Sequence, residues 1–265
     1  MAHLLLYVIL PCVIVKSFCM ERTAENTVII LWSFAGTIVV LIASMAVSYI
    51  LFQKKPVDNF GAAFSNAGFM GIPLISATVG ESAVVYAAGM IAILNALQWT
   101  YGQMILSGDR KAVSFKEISR SPVVIALVIG LCIFLLRIPV PSIIFSSMGT
   151  IAQLNAPIAM IILGIYLGRV ELMEILRDRS AWWCSLVRLV VIPVITVFIL
   201  KTMFGGNLEV GQALLISAIA PVGSNVAVYA QKLNQDYGYA VKIVCLSTLL
   251  SILTIPVIMY LYLLF

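Results

Sequence analysis

Hydrophobic residues along this 265-residue chain fall into long runs rather than into alternating or striped patterns. A run of about 20 apolar residues is the length at which a helix crosses the hydrocarbon core of a bilayer. The linkers between the runs are short, so no separate soluble domain is expected. The pattern therefore predicts an all-α polytopic membrane protein with nine spans. They lie near 3–18, 27–52, 60–79, 82–106, 121–137, 142–168, 181–204, 210–232 and 238–264.

Composition excludes several functional classes. The chain is 62% hydrophobic and 10% charged with a mean hydropathy of +1.11, against about 25% charged residues in a soluble domain. One histidine and five scattered cysteines offer neither a metal cluster nor a nucleophile with its base. No ATP-binding glycine loop is present. We therefore expect neither an enzyme nor a cofactor. The net charge of +5 is explained by basic loops, so no nucleic-acid partner is expected.

Basic residues mark one side of the membrane. Ten lysines and arginines fall in one set of alternating linkers and four in the other, so the first set is predicted to be cytoplasmic. This orientation places the N-terminus inside and the C-terminus outside, in a cell membrane. The ten are Lys54, Lys55, Arg110, Lys111, Lys116, Arg120, Arg169, Arg177, Arg179 and Lys232; the four are Lys16, Arg22, Arg137 and Lys201.

The third and eighth apolar runs carry helix-breaking residues at their centres. The third contains the stretch 64–73, which ends at Pro73, and the eighth contains 220–225, which includes Pro221 and Gly223. Proline and glycine weaken a helix, and unpaired backbone is tolerated at membrane depth only inside protein or beside a wet cavity. Either stretch alone could be an ordinary proline kink. Together they predict two broken helices.

The breaks belong to an internal repeat. Pro11 and Pro157 lie in the first and sixth runs, 146 residues apart, and Pro73 and Pro221 lie in the third and eighth, 148 residues apart. Corresponding runs are five apart, so the two copies cross the membrane in opposite directions. We therefore predict one transporter domain over 1–265 with two inverted repeats, a truncated one over 1–106 and one over 120–265.

Broken helices suit an anion. Each break exposes a half-helix N-terminus, where free N–H groups and the positive end of the helix dipole favour negative charge. Ser65, Asn66, Ser224 and Asn225 add neutral hydrogen-bonding groups there. Neutral donors suit a carboxylate that must bind and then leave.

The same residues carry a resemblance to a known family. The stretch Asn66–Leu74 resembles the first crossover motif of the auxin efflux carrier family. Pro221–Val226, followed by Ala230-Gln231 and Ser247–Ser251, resembles its second half. The resemblance, which covers essentially the whole chain, implies an inverted-repeat fold like that of the NhaA antiporters and bile acid symporters. It implies transport of auxin-like carboxylates, malonate or malate. The candidate binding residues are Ser65, Asn66, Gly68, Gly71, Pro73, Asn95, Asn155, Pro221, Gly223, Ser224 and Asn225.

The resemblance also implies a mechanism and a difference. Spans 2–4 and 7–9 would form a moving transport domain, and spans 1, 5 and 6 a scaffold that mediates homodimerisation. The family has ten spans with both termini outside. The sequence begins where the family's second span begins, and we expect a fragment, a misplaced start or a nine-span variant.

Several polar residues have two interpretations. Asn95 could line the site or form an interhelical hydrogen bond. Arg188 is a functional candidate within the seventh span, although we expect it to snorkel to the headgroups. Glu81 is expected to be a solvated helix end.

Two alternative functions remain at this point. No acidic residue falls at the centre of a span, which argues against cation exchange. A sodium-coupled symporter of the bile acid type is one alternative. The other is a membrane receptor that binds an anion without moving it.

Overall fold

The fold of a computed structural model is helical throughout the part of the chain that it describes, residues 2–109, 119–168, 172–205 and 207–264. Within these ranges no β-strand is present, apart from one isolated bridge. The helices are α1 Leu5–Phe18, α2 Ala24–Phe52, α3 Pro56–Ala63, α4 Ala67–Thr78, α5 Glu81–Ser107, α6 Pro122–Leu136, α7 Ser142–Ala152, α8 Asn155–Leu167, α9 Leu172–Arg177, α10 Arg179–Phe204, α11 Leu208–Ile219, α12 Asn225–Lys232 and α13 Tyr237–Leu264.

Each predicted apolar run has a helical counterpart. Among the described residues, five helical stretches are long and apolar enough to cross a membrane, and four shorter apolar helices accompany them. The five are Ala24–Phe52, Glu81–Ser107, Ser142–Tyr166, Arg179–Phe204 and Tyr237–Leu264. Many large hydrophobic side chains on these helices point outward, as lipid-facing residues do. The prediction of an all-α polytopic membrane protein is confirmed. The number of membrane spans and the inverted repeat stay predictions.

Three of the helices widen just before a proline. The π-helical turns Leu5–Ile9, Ala67–Gly71 and Val187–Val191 each end two residues before Pro11, Pro73 and Pro193, respectively. A proline ring clashes with the carbonyl four residues earlier, and an extra residue in the preceding turn relieves that clash. The helix can therefore continue past the proline instead of ending there.

Two predicted breaks are true interruptions, and they cross each other. Between α3 and α4, and between α11 and α12, the chain is extended, and Ser65 pairs with Val222 in an antiparallel bridge. The amide of Asn66 donates to the carbonyl of Pro221 (2.9 Å), and the amide of Gly223 donates to the carbonyl of Phe64 (3.0 Å). Each unwound stretch thus satisfies backbone groups of the other.

A neighbouring helix completes this pairing. The Val222 amide donates to the Ser247 hydroxyl of α13 at 3.1 Å, and Ser247 is fully buried. Without this hydroxyl, the amide would be left unpaired in a buried site, which costs about 1–3 kcal/mol. Helix α13 therefore holds the crossing in place from one side.

The helices pack in two groups. Helix α1 packs mainly against α6 and α7. The unwound stretches and their half-helices pack instead among α2, α5, α10 and α13. Contacts between the groups run chiefly through α5, which touches α1 and α6, and through α8, which touches α1 as well as α4 and α13. The crossing therefore belongs to the second group and faces the first.

The crossing is too tight for a side chain at one position. A methyl group at Gly223 would lie 3.0 Å from the carbonyl oxygen of Ser65 and 3.3 Å from that of Phe64. Both neighbours are backbone atoms of the paired stretch, so they cannot rotate away. Gly164, on α8, has no atom within 4 Å of the corresponding position.

We expect Gly223→Ala to lower the free energy of unfolding by about 1–3 kcal/mol through overpacking of the crossing. Gly164→Ala is the matched control, and it should be neutral or slightly stabilising because alanine favours a helix. Thermal unfolding in detergent measures both. Equal melting temperatures for the two variants would show that the backbones are not in contact.

Candidate functional site

A small cavity lies beside the crossing. Its volume is about 20 Å³, enough for one water molecule and too little for a carboxylate ligand in this conformation. Both unwound stretches, α1 and α5 form its walls. The lining residues are Leu6, Leu10, Ser65, Asn66, Gly68, Phe69, Ile91, Leu94, Asn95, Gly223, Ser224 and Asn225. The lining carries no charged side chain.

Several donors around this cavity have no acceptor. The side-chain amide nitrogens of Asn66 and Gln98 and the hydroxyl of Ser65 are buried and make no hydrogen bond. Their residues are 4%, 1% and 3% exposed, respectively. Buried polar groups are nearly always paired, and an unpaired one costs about 1–3 kcal/mol. Three unpaired donors at one place indicate a site for an acceptor-rich ligand, such as a carboxylate.

Helix N-termini converge on the same place. Helix α4 begins at Ala67, directly after Asn66, and α12 begins at Asn225. Neither helix has a side-chain cap on its first free amides. The first-turn amides of α4 and the positive dipole ends of both helices therefore add to the side-chain donors, whereas the Val226 and Ala227 amides of α12 donate to the Gly223 and Ser224 carbonyls.

Gln98 is a residue that sequence reasoning missed. Its side-chain oxygen accepts a hydrogen bond from the side-chain amide nitrogen of Asn225 at 2.8 Å. Its own side-chain nitrogen has no partner. It begins the π-helical turn Gln98–Gly102, the one described π turn that does not precede a proline. Such turns occur often at functional sites. A signal existed in the sequence, since Asn95 and Gln98 lie three apart and share a helix face.

Some of the other predicted residues line the small cavity, and others pack around the crossing or line another cavity. Gly68 and Asn95 line the cavity, although the Asn95 amide nitrogen also donates to the Ile91 carbonyl (2.7 Å) of its own helix. Asn95 therefore lines the cavity, and its hydrogen bond lies within its own helix rather than between helices. Gly71 packs against Ser217 of α11, and Pro221 contributes its carbonyl to the crossing. Pro73 lines a second, larger cavity.

Asn155 lies between the two cavities. It lines the larger cavity, of about 500 Å³, and its side-chain amide nitrogen lies 3.4 Å from the carbonyl of Gly68, which lines the small one. Its side-chain oxygen is buried without a partner. Asn155 therefore connects the wall of the larger cavity to the wall of the small one.

Arg188 corrects an expectation. It does not snorkel to the headgroups, because its side chain is 1% exposed and reaches the crossing. The guanidinium donates to the carbonyls of Ala62 (3.0 Å) and Ala220 (3.1 Å), and also to that of Ala218. These carbonyls belong to the C-terminal ends of α3 and α11, where helix dipoles are negative. Arg188 therefore neutralises the carbonyl ends and leaves the amide ends unopposed.

Asp58 is the buried carboxylate of the described part of the chain. It lies at the start of α3, before the predicted third span, and accepts hydrogen bonds from Tyr239 and from Ser180 (3.4 Å). Burial raises the pKa of the Asp58 carboxyl, opposed by the Tyr239 hydrogen bond and the Lys55 charge. This cluster ties α3 to α10 and α13, about two helical turns before the crossing.

Metal-binding groups are absent from the described residues, which contain no cluster of three or more His, Cys, Asp or Glu side chains.

Comparison with known proteins decides the family. The family model described as "Membrane transport protein" matches residues 1–120 and 111–259. The chain belongs to the auxin efflux carrier family of membrane transport proteins. A protein of Rhizobium meliloti (strain 1021) with the description "Putative malonate transporter" is 26% identical over 275 residues, which cover 97% of this chain and 84% of that protein.

Membership agrees with the geometry of this chain. The motif residues that carry the resemblance, Asn66 to Pro73 and Pro221 to Asn225, are those at the crossing and its cavities. The protein is therefore a multi-pass membrane protein of a transporter family. The polar groups that line its crossing are amides and hydroxyls.

We expect Arg188→Leu to destabilise the folded protein by about 3–5 kcal/mol, because three buried carbonyls lose their donors. Arg188→Lys should cost less, since an ammonium retains charge and some donors. Arg179→Leu, at the exposed start of the same helix, is the control. Melting temperatures in detergent that are equal for Arg188→Leu and the control would contradict this role.

Proposed function

We propose that this protein is a secondary transporter of small organic anions that binds a carboxylate at the crossing of its two broken helices. The observation that carries the proposal is the set of buried, unpaired donors on Ser65, Asn66 and Gln98 beside two helix N-termini. A carboxylate accepts several hydrogen bonds at once and would satisfy these groups together.

The charge balance of the crossing favours an anion over a cation. Arg188 pairs with the carbonyl ends of α3 and α11, and the small cavity has no acidic side chain. The remaining electrostatic potential comes from amide dipoles and is positive. Because no lysine or arginine lines this cavity, a bound anion is held by neutral donors and can dissociate in each cycle.

Malonate, malate and auxin-like carboxylates are the substrates that we propose, with malonate first. The description of the relative from Rhizobium meliloti names malonate, and the match covers 97% of this chain. A short dicarboxylate also suits the geometry, since one carboxylate could bind the crossing while the second points toward Asn155 and the larger cavity.

Transport would proceed by an elevator-type movement. The packing supports a moving group that contains α2–α5 and α10–α13 and a scaffold that contains α1, α6, α7 and α8. The large cavity lies between these groups on the predicted extracytoplasmic side, whereas the site at the crossing is nearly closed. We further propose that the scaffold forms a homodimer in the cell membrane, with the C-terminus outside.

We expect Asn66→Ala and Asn225→Ala each to abolish malonate uptake into proteoliposomes, or to reduce it more than about tenfold. The first variant removes an unpaired donor, and the second removes the hydrogen-bond partner of Gln98. Asn26→Ala, at the exposed start of α2, is the matched control and should transport normally. Normal transport by both site variants would show that the crossing has a structural role only.

The same assay separates the alternatives. Replacing external sodium with choline should leave uptake unchanged, whereas a sodium-coupled symporter would lose it. Counterflow of labelled malonate distinguishes a carrier from a receptor, because a receptor binds the anion but does not exchange it across the bilayer.

A second variant tests the sign of the charge. Gln98→Glu keeps the size of the side chain but replaces the unpaired amide nitrogen with a carboxylate oxygen. We expect it to weaken malonate binding at least about tenfold by like-charge repulsion in a buried site. Gln53→Glu, at the exposed end of α2, is the control. Unchanged affinity for malonate in Gln98→Glu would place the anion elsewhere.

A further inference from the structure

The larger cavity forms a vestibule between the two groups of helices. Helices α1 and α7 provide one wall, and α4 with the start of α5 provides the other. Its volume of about 500 Å³ is that of a small-molecule site. The floor holds Pro73 and Asn155, so the vestibule leads toward the crossing.

Two opposite charges line the vestibule and pair with each other. The ammonium of Lys16, on α1, lies 3.0 Å from a carboxylate oxygen of Glu81, at the start of α5. It also lies 5.7 Å from the centre of the Phe145 ring of α7. The vestibule lining contains no other charged side chain. The ion pair thus joins the scaffold to the moving group across the vestibule.

We propose that Lys16 is a recruiting site for the substrate carboxylate and that Glu81 is its built-in competitor. This inference rests on the proposed function and deepens it, since it adds a second anion-binding position on the path to the crossing. Glu81 was expected to be a solvated helix end, and its side chain is indeed 69% exposed, but it is also paired.

The exposure of the two partners makes the exchange possible. The Lys16 side chain is 22% exposed and that of Glu81 is 69% exposed, so their ion pair is largely screened and contributes little net stability. A carboxylate in the vestibule can replace the Glu81 carboxylate by making the same contact with Lys16. Glu81 can swing into water at little cost, because most of it already contacts solvent.

Glu81 also helps the substrate carboxylate to leave Lys16. A lysine without a partner would bind an anion strongly and hold it in the vestibule. When the substrate moves past Asn155 to the crossing, Glu81 can pair with Lys16 again. The vestibule would then return to a neutral state, which favours forward movement of the substrate over return. Recruitment should be stronger for malonate, with two negative charges, than for lactate, with one.

The test measures concentration dependence of uptake in proteoliposomes made with the full chain. We expect Lys16→Gln to raise the KM for labelled malonate about three- to tenfold and to weaken its dependence on salt. Glu81→Gln should lower the KM, because it removes the competitor. The shift for lactate should be smaller in both variants. Lys201→Gln is the control, since this lysine has the same predicted side but lies over the Tyr262 ring, outside the vestibule.

The possible results separate the two proposals. Opposite shifts of KM in Lys16→Gln and Glu81→Gln support recruitment. Shifts in the same direction, or none, would overturn it and leave the pair as a tether between the groups. If the unaltered protein takes up no malonate, lactate, malate or indole-acetate, then the proposed function is wrong, and the recruitment proposal is wrong with it.

Discussion

The structure depends on one constraint: backbone polar groups that leave a helix inside a membrane must find partners within the protein. Two stretches of this chain leave their helices at Phe64–Asn66 and at Ala220–Ser224, and each supplies partners for the other. The Asn66 and Gly223 amides and the Pro221 and Phe64 carbonyls form the pairing. Neither break could persist alone at this depth, and this mutual dependence explains why they occur as a pair.

The pairing brings four helix ends together, and Arg188 makes them unequal. Two ends present carbonyls and two present amides, so the crossing would be nearly neutral without a further charge. The guanidinium of Arg188 pairs with the carbonyl ends. The amide ends keep their positive potential, and the side-chain donors of Ser65, Asn66 and Gln98 beside them have no acceptors. The protein thus produces a positive potential from neutral groups. Among the described residues Arg188 is the one buried cation, and it lies behind the site rather than in it.

Sequence reasoning predicted the all-α membrane fold and the two interrupted stretches because lipid imposes simple rules. Runs of about 20 apolar residues indicate helices, and the stretches 64–73 and 220–225 contain the breaks, although α4 itself continues past Pro73. The asparagines at the breaks were identified for the same reason, since polar groups at membrane depth are costly unless they have a use. Arg188 was assigned wrongly, because its distance from the helix end favours the headgroups while its acceptors come from two distant segments. Gln98 and the Lys16–Glu81 pair were missed because their partners lie far away in sequence, where no local pattern records them.

The central claim is that a carboxylate binds the amide side of the crossing. Solid-state NMR on protein in bilayers tests this directly, with malonate labelled with ¹³C at its carboxylates and ¹⁵N in the side chains of asparagine, glutamine and arginine. The account predicts dipolar contacts of about 4 Å or less between a malonate carboxylate carbon and the side-chain amide nitrogens. These contacts should be lost in Asn66→Ala. A contact to arginine guanidinium nitrogens with none to the amides would contradict it, because the anion would then lie on the carbonyl side that Arg188 occupies.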